Sequence, residues 1–183
     1  VERNAVPGID ESRTFHPLRI AVLTVSDTRT DETDTSGGLL AGRLTAAGHA
    51  LAAKAIVGDE VDAIRTQVRT WTADPTVDVI LTTGGTGFAP RDLTPEAVRP
   101  LFRREMDGFA IAFHQASLGT VGVSTLQSRA CAGQIADTFV FCLPGSTGAC
   151  RDAWDLVLGS ALDSRYRPCS FAEQVPRLRQ LFA

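Results

Sequence analysis

The stretch VDVILTTGGTGFAPRDLTP, residues 77–95, decides the fold. Val77, Val79, Ile80 and Leu81 form a short apolar run rich in β-branched residues, the pattern of a strand buried on both faces of a parallel sheet. Gly84, Gly85, Thr86 and Gly87 follow at once; glycines permit positive φ and leave backbone N–H groups open to an anion. Asp92 then sets a carboxylate beside the loop. Thr94, Pro95 and Glu96 read as an N-cap, a first-turn proline and a first-turn acid. The glycines alone also fit a plain strand-to-helix turn, because they match neither the GxGxxG dinucleotide spacing nor the Gly-Lys-Ser/Thr ending of a Walker loop. With the carboxylate and the helix start beside them, they read as a corner where a ligand above the strand end would meet Asp92.

Toward the N-terminus, residues 19–25 make a second buried-strand run, with Ser26 and Asp27 just past its end. The polar segment 27–36 leads to Ser36-Gly37-Gly38, which opens a helix with Leu39, Leu40, Leu44 and Ala47 on its apolar face. A helix N-terminus has unpaired N–H groups and the positive end of the dipole, so Ser36 reads equally as a cap or as an anion ligand. Residues 51–57 are a third strand, and Gly58-Asp59-Glu60 precedes a helix with Val61, Ile64, Val68 and Trp71 at helical spacing. Asp59 has an ordinary reading as the cap of that helix. The order strand, helix, strand, helix, strand predicts right-handed βαβ units: an α/β fold of three αβα layers around a mostly parallel sheet. Ligands of such sheets bind at the carboxyl ends of the strands, so Asp27, Asp59 and Asp92 are expected on one rim.

Toward the C-terminus, Met106, Phe109, Ala110 and Phe113 lie on one stripe of a helix over 105–117, a face for the core or a subunit interface. His114 has no partner the sequence assigns, and Arg129 is a candidate for reaching a phosphate. Residues 138–143 make another buried strand. Pro144-Gly145-Ser146-Thr147-Gly148 is then a second turn with exposed amides at a helix start, with Arg151 in the first turn. Residues 1–17 and 170–183 read as polar tails around one domain, 18–169.

With 183 residues, 44% hydrophobic and 21% charged, the chain has material for one full core. A net charge of −3 and no basic block interleaved with aromatics argue against nucleic acid as the partner. The four cysteines have no CxxC pairing and no histidine at zinc spacing, so each reads as a buried or half-buried thiol. No apolar run nears the roughly 20 residues that cross a bilayer; no membrane partner is expected, and the expected compartment is the cytoplasm.

LTTGGTGFAPRDLTP at 81–95, TVSD at 24–27 and LPGS at 143–146, in this order, resemble the MoaB/MogA family of molybdenum-cofactor biosynthesis proteins. STLQSRACAG at 124–133, LPGSTGACR from Leu143 and RPCSF at 167–171 are most similar to its MoaB branch. The resemblance implies the MogA-like molybdopterin-binding fold, a homo-oligomer (trimer or hexamer), and molybdopterin and ATP as substrates. It implies Mg²⁺-dependent adenylylation of molybdopterin with release of pyrophosphate. The family's two acidic positions fall on Asp59 and Asp92, which would position metal and phosphate. Gly84, Gly85, Thr86 and Gly87 would face the nucleotide phosphates, and Gly145 and Ser146 the nucleotide rim. Ser26, Asp27 and Ser36 are candidates for the pterin-phosphate side. One departure stands out: the MoaB branch commonly has a lysine where this chain has Gly148. The alternative is therefore a non-catalytic oligomer that binds molybdopterin or its precursor.

Overall fold

The computed structural model describes residues 6–175, so the outer parts of both expected tails, 1–5 and 176–183, lie outside the described residues. In chain order the elements are β1 (Gly8–Ile9), β2 (Arg19–Val25), α1 (Thr35–Ala46), β3 (Ala50–Val57), α2 (Val61–Ala73), β4 (Val79–Thr83), α3 (Thr94–Val98) and β5 (Arg104–Glu105). They continue with α4 (Asp107–Val121), β6 (Cys131–Ile135), β7 (Thr138–Leu143), α5 (Thr147–Ala153), α6 (Gly159–Ala161) and β8 (Tyr166–Arg167). A π-helical turn, Trp154–Leu158, joins α5 to α6.

Six strands form one sheet in the order β3-β2-β4-β7-β6-β5. β3, β2, β4 and β7 are mutually parallel, as the alternating pattern predicted. β6 runs antiparallel to β7, and the two-residue β5 pairs antiparallel with β6. Neither was visible in the sequence. Cys131–Ile135 carries a glycine and a glutamine inside a short run, and Gly133 is needed there because any Cβ would strike the Phe102 ring at 2.5 Å. Both faces of the sheet are covered. Ile20, Val22, Leu81 and Phe141 pack with Leu40 and Leu44 of α1, Phe113 of α4 and Cys150 of α5. Ala21, Leu23, Ile80 and Val140 pack on the other side with Ile64, Val68 and Trp71 of α2 and Val98 of α3.

The strand alternation that builds these two cores also buries the charge of Asp78. Asp78, just before β4, is fully buried and accepts from the Nε, Nη2 and backbone N of Arg19 at 2.7 to 2.9 Å, so its charge is paired rather than stranded. The leading segment is tied down rather than loose: Gly8–Ile9 pairs with β8, Arg13 bridges Glu173 at 2.6 Å, and the Phe15 ring sits against His49. Near the C-terminus, Phe171 packs edge-on to Phe139 and Phe141 while Ala172 and Val175 are fully buried. Three of the cysteines are buried, as expected; Cys169 is exposed instead. Among the described residues no helix is long and apolar enough to cross a membrane.

Candidate functional site

The four parallel strands release their loops at one rim, and the strand order reverses between β3 and β4 on either side of β2. Such a switch point opens a crevice at the carboxyl ends of the strands. The glycine loop after β4 fills it. Gly84 (φ +104°) and Gly85 (φ +64°) occupy the left-handed region. A Cβ on Gly84 would lie 2.2 Å from the Val25 carbonyl oxygen, and one on Gly85 would lie 2.4 Å from Thr94 Oγ1. Packing and backbone conformation therefore both demand glycine. What the loop offers a ligand is its amides: Gly84 N–H donates to Leu143 O at 3.1 Å, but the N–H groups of Gly85, Thr86 and Gly87 have no acceptor among the described residues. Three consecutive free amides are donors of the kind that bind anions.

Its support comes from the residues around it. Thr94 Oγ1 donates to Gly84 O at 2.8 Å. Thr94 is thus a tie rather than the expected N-cap of α3, whose cap position is Leu93. Arg129 spans the loop's outer limb: its backbone N–H bonds Thr86 O at 2.8 Å, Nε bonds Gly87 O at 2.8 Å, Nη2 bonds Asp92 O at 2.6 Å, and Nη1 pairs with Glu96. The guanidinium also lies over the Phe88 ring at 5.5 Å. A candidate phosphate ligand in the sequence, Arg129 spends its donors on the loop. Sequence reasoning missed this role, since 42 residues separate Arg129 from Gly87.

The carboxylates gather beside the amides. Asp27 N–H donates to Asp59 Oδ2 and Asp59 N–H to Asp27 Oδ1, both at 3.0 Å, so the loops after β2 and β3 clasp each other. Arg91 reaches back from the glycine loop to Asp27 at 2.5 Å. Asp92 Oδ2 accepts from Ala89 N–H at 2.7 Å, and a Cβ on Gly87 would meet that oxygen at 2.6 Å. Asp59 does not cap α2; Glu60 holds the cap position and makes no side-chain cap bond. Burial raises the pKa of Asp59, and the charges of Asp27 and Asp92 add to the rise against the Asp27 N–H bond and Arg91. This is a local excess of negative charge. Among the described residues no three such side chains already converge as a metal cage, so a cation here would complete its shell with water or ligand oxygens.

The expected substrate-side residues divide into three groups. Ser26 Oγ accepts from the Thr28 and Arg29 N–H groups at 3.2 Å, a turn-holding role that leaves it beside Asp27. Ser36 is buried in the first turn of α1 but does not cap it. Asp34 does, accepting from Gly37 N–H at 2.9 Å, and it pairs with Lys54 at 2.7 Å and Thr24 Oγ1 at 2.9 Å. Burial works to raise the Asp34 pKa, but Lys54, the Gly37 amide and the Thr24 hydroxyl together hold it below the usual value. Asp27 joins Asp59 rather than Ser36. Gly145 belongs with the glycine loop, since its Cβ position lies 3.2 Å from Gly84 Cα. Ser146 caps α5 by accepting from Ala149 N–H at 3.2 Å. Beside it opens a cavity of about 210 Å³, lined by Phe113, Ser117, Thr125, Ser128, Pro144 and Ser146 among others, which meets the glycine loop through Ser128 Oγ and Thr86 Oγ1 at 3.3 Å. His114, unassigned in the sequence, bonds Thr125 Oγ1 through Nδ1 at 2.8 Å and so steadies that cavity's wall. A Cβ on Gly148 meets nothing within 4 Å, so packing does not exclude a larger residue there. Arg151 points elsewhere, into a cleft with Thr35, Gly38, Arg43 and Thr147.

Comparison with known proteins finds relatives over most of the chain. Residues 21–164 match the family model described as a probable molybdopterin binding domain. The molybdenum cofactor biosynthesis protein B of Escherichia coli K12 is 50% identical over 160 residues, spanning 87% of this chain and 94% of the relative. The protein of the same name from Bacillus subtilis is 46% identical over 142 residues, spanning 77% and 84%. A crystal structure of a molybdenum cofactor biosynthesis protein B superposes with a TM-score of 0.79 at 40% identity, over 82% of this chain and 94% of the other.

Proposed function

Because this chain belongs to the molybdopterin-binding domain family of molybdenum cofactor biosynthesis proteins, we propose that it adenylylates molybdopterin with ATP at the rim of its sheet. In this reading a terminal phosphate oxygen of molybdopterin attacks the α-phosphorus of ATP. The new P–O bond forms as the bond to the β-phosphate oxygen breaks, and pyrophosphate leaves. Displacement at phosphorus depends on alignment and charge neutralisation more than on covalent help. The observation that carries the proposal is the run of free amides at Gly85, Thr86 and Gly87 beside Asp59 and Asp92. Those amides would hold phosphate oxygens, with Gly145 and Ser146 on the opposite lip. The 210 Å³ cavity would accept a planar ring of one substrate.

Asp59 and Asp92 would hold Mg²⁺, with Asp27 fixing the Asp59 loop. The donor set fits: Mg²⁺ takes one or two carboxylates plus water and phosphate oxygens, and a cation here would relieve both the burial of the Asp59 charge and its repulsion from Asp27 and Asp92. Bound there, Mg²⁺ would neutralise charge between phosphate oxygens. The test is pyrophosphate release with Mg²⁺, ATP and molybdopterin, beside a control without pterin. Asp92→Ala is expected to lower pterin-dependent release by about 100-fold or more.

A second reading, a non-catalytic molybdopterin carrier, is favoured by one observation. The described cations nearest the loop are committed: Arg129 to loop carbonyls, Arg91 to Asp27 and Lys54 to Asp34, and Gly148 supplies none. Saturable pterin binding without pyrophosphate release would select that reading. Under either, the chain is a cytoplasmic homo-oligomer, a trimer or hexamer. Ile111, Leu118, Val121, Val123 and Leu126, exposed on α4 and the turn after it, are suited to the contact between copies.

A further inference from the structure

We propose that a cavity at the opposite end of the sheet from the glycine loop is a second ligand site, for a small aromatic carboxylate. It is built on one rung that crosses three strands: Arg104 of β5 pairs with Gln134 of β6, which pairs with Phe139 of β7. Phe139 in turn lies level with Val79, the first residue of β4, whereas the glycine loop follows Thr83, its last. Four strand residues separate the two levels, about 13 Å at ~3.3 Å per residue. The segment after β8 folds over this rung, and the Phe171 ring meets Phe139 edge-on at 5.2 Å. Tyr166, Cys169 and Ser170 complete the walls of a cavity of about 430 Å³. That is within the range of small-molecule sites.

Three features define the ligand. The walls are aromatic on two sides, Phe139 with Phe171 and Tyr166, which suits a flat ring. Arg104 stands at the mouth with no carboxylate partner among the described residues; its Nη1 donates only to Gln134 Oε1 at 3.2 Å, while the neighbouring Glu105 is taken by Arg99. An uncompensated guanidinium beside an apolar cavity selects an anionic group, and its planar fork fits a carboxylate. Deeper in, Ser170 is 5% exposed and its hydroxyl has no hydrogen-bond partner. A buried polar group without a partner is costly, so a ligand that supplies an acceptor or donor recovers that cost. Nothing in the proposed adenylylation uses these residues.

The site carries its own reporter. Cys169 is exposed at the wall, and Cys131, Cys142 and Cys150 are buried, so iodoacetamide should alkylate the native full-length chain once, at Cys169, and the unfolded chain four times. The probe is 2-naphthoate, with naphthalene-2-carboxamide as its neutral counterpart. Saturating 2-naphthoate is expected to slow alkylation of Cys169 at least tenfold, and the carboxamide much less. Arg104→Gln should remove the preference for the carboxylate, and Ser170→Ala should weaken protection severalfold while single-site alkylation reports that each variant is folded. Unsaturable protection, or the same preference in Arg104→Gln, would overturn the proposal. So would a Cys169 that reacts in the wild type only after dilution to monomer, because a second copy of the chain would then fill the cavity.

Discussion

At the scale of single residues, neighbours decide which of several chemically plausible side chains matter. Gly84 and Gly148 both belong to glycine-marked motifs of the sequence, yet only Gly84 combines φ +104° with a backbone oxygen 2.2 Å from where a Cβ would stand. Gly84→Ala is therefore expected to cost roughly 3 kcal/mol or more, and Gly148→Ala, in open space inside α5, to be neutral or to gain up to about 1 kcal/mol; urea midpoints measure both. His49 sets the acid limit. It is buried among Phe15 and Trp154, its Nδ1 accepts from Leu18 N–H at 3.1 Å, and its Nε2 has no partner. Burial lowers its pKa to about 4, against a smaller opposing pull from the Asp163 carboxylate. The unfolded chain, with a histidine pKa near 6.5, binds the proton first as pH falls. The His49 contribution should thus decline between about pH 6.5 and 4 and level off below, by about 3 kcal/mol in total. His49→Gln, which keeps an acceptor for Leu18 but does not titrate, should flatten that part of a stability-against-pH curve.

At the scale of elements, the loops and the antiparallel edge strands β6 and β5 needed long-range information, whereas the main parallel strands and α1 and α2 did not. Residues 19–25, 79–83 and 138–143 announce themselves as strands by apolar runs, and α1 and α2 by periodicity, because burial of a whole face leaves a repeating mark. A cap or a clamp leaves none. Asp34 rather than Ser36 caps α1 because Lys54 and Thr24, brought in by β3 and β2, fix its carboxylate. Likewise the glycine loop owes its shape to Arg129, which reaches it from the turn before β6. Arg129→Lys keeps the charge but cannot bond Gly87 O, Asp92 O and Glu96 at once. It is expected to cost about 2 kcal/mol in urea unfolding and to speed amide exchange over residues 86–93, leaving exchange in β2 and β4 unchanged. Unchanged exchange in the loop would show that the clamp is dispensable.

At the scale of the whole molecule, the parallel strands put four loops on one rim and a two-strand antiparallel extension, β6 and β5, on one edge. The remaining question is what covers α4. Val123 and Leu126 are 76% and 71% exposed and continue the apolar line of Leu118 and Val121 up to the cavity beside Ser146. If α4 carries the contact between copies proposed above, the double variant Val123→Glu/Leu126→Glu is expected to convert that proposed oligomer to monomer by light scattering, with far-ultraviolet circular dichroism unchanged. A wild type that is monomeric at high concentration would refute that interface.

The sequence alone determined the α/β class, the parallel order of its main strands, the glycine loop and the carboxylates to watch, because each rests on contiguous residues: runs, periods and short motifs. Only the tertiary structure decided how those parts meet. It clasped Asp27 to Asp59 across 32 residues, turned Arg129 from a ligand candidate into a clamp, gave the cap of α1 to Asp34, and set Arg104, Gln134 and Phe139 on one rung. The physical reason is range. Apolar patterning is written residue by residue, whereas a hydrogen bond or ion pair between distant segments depends on the register with which the sheet brings them together.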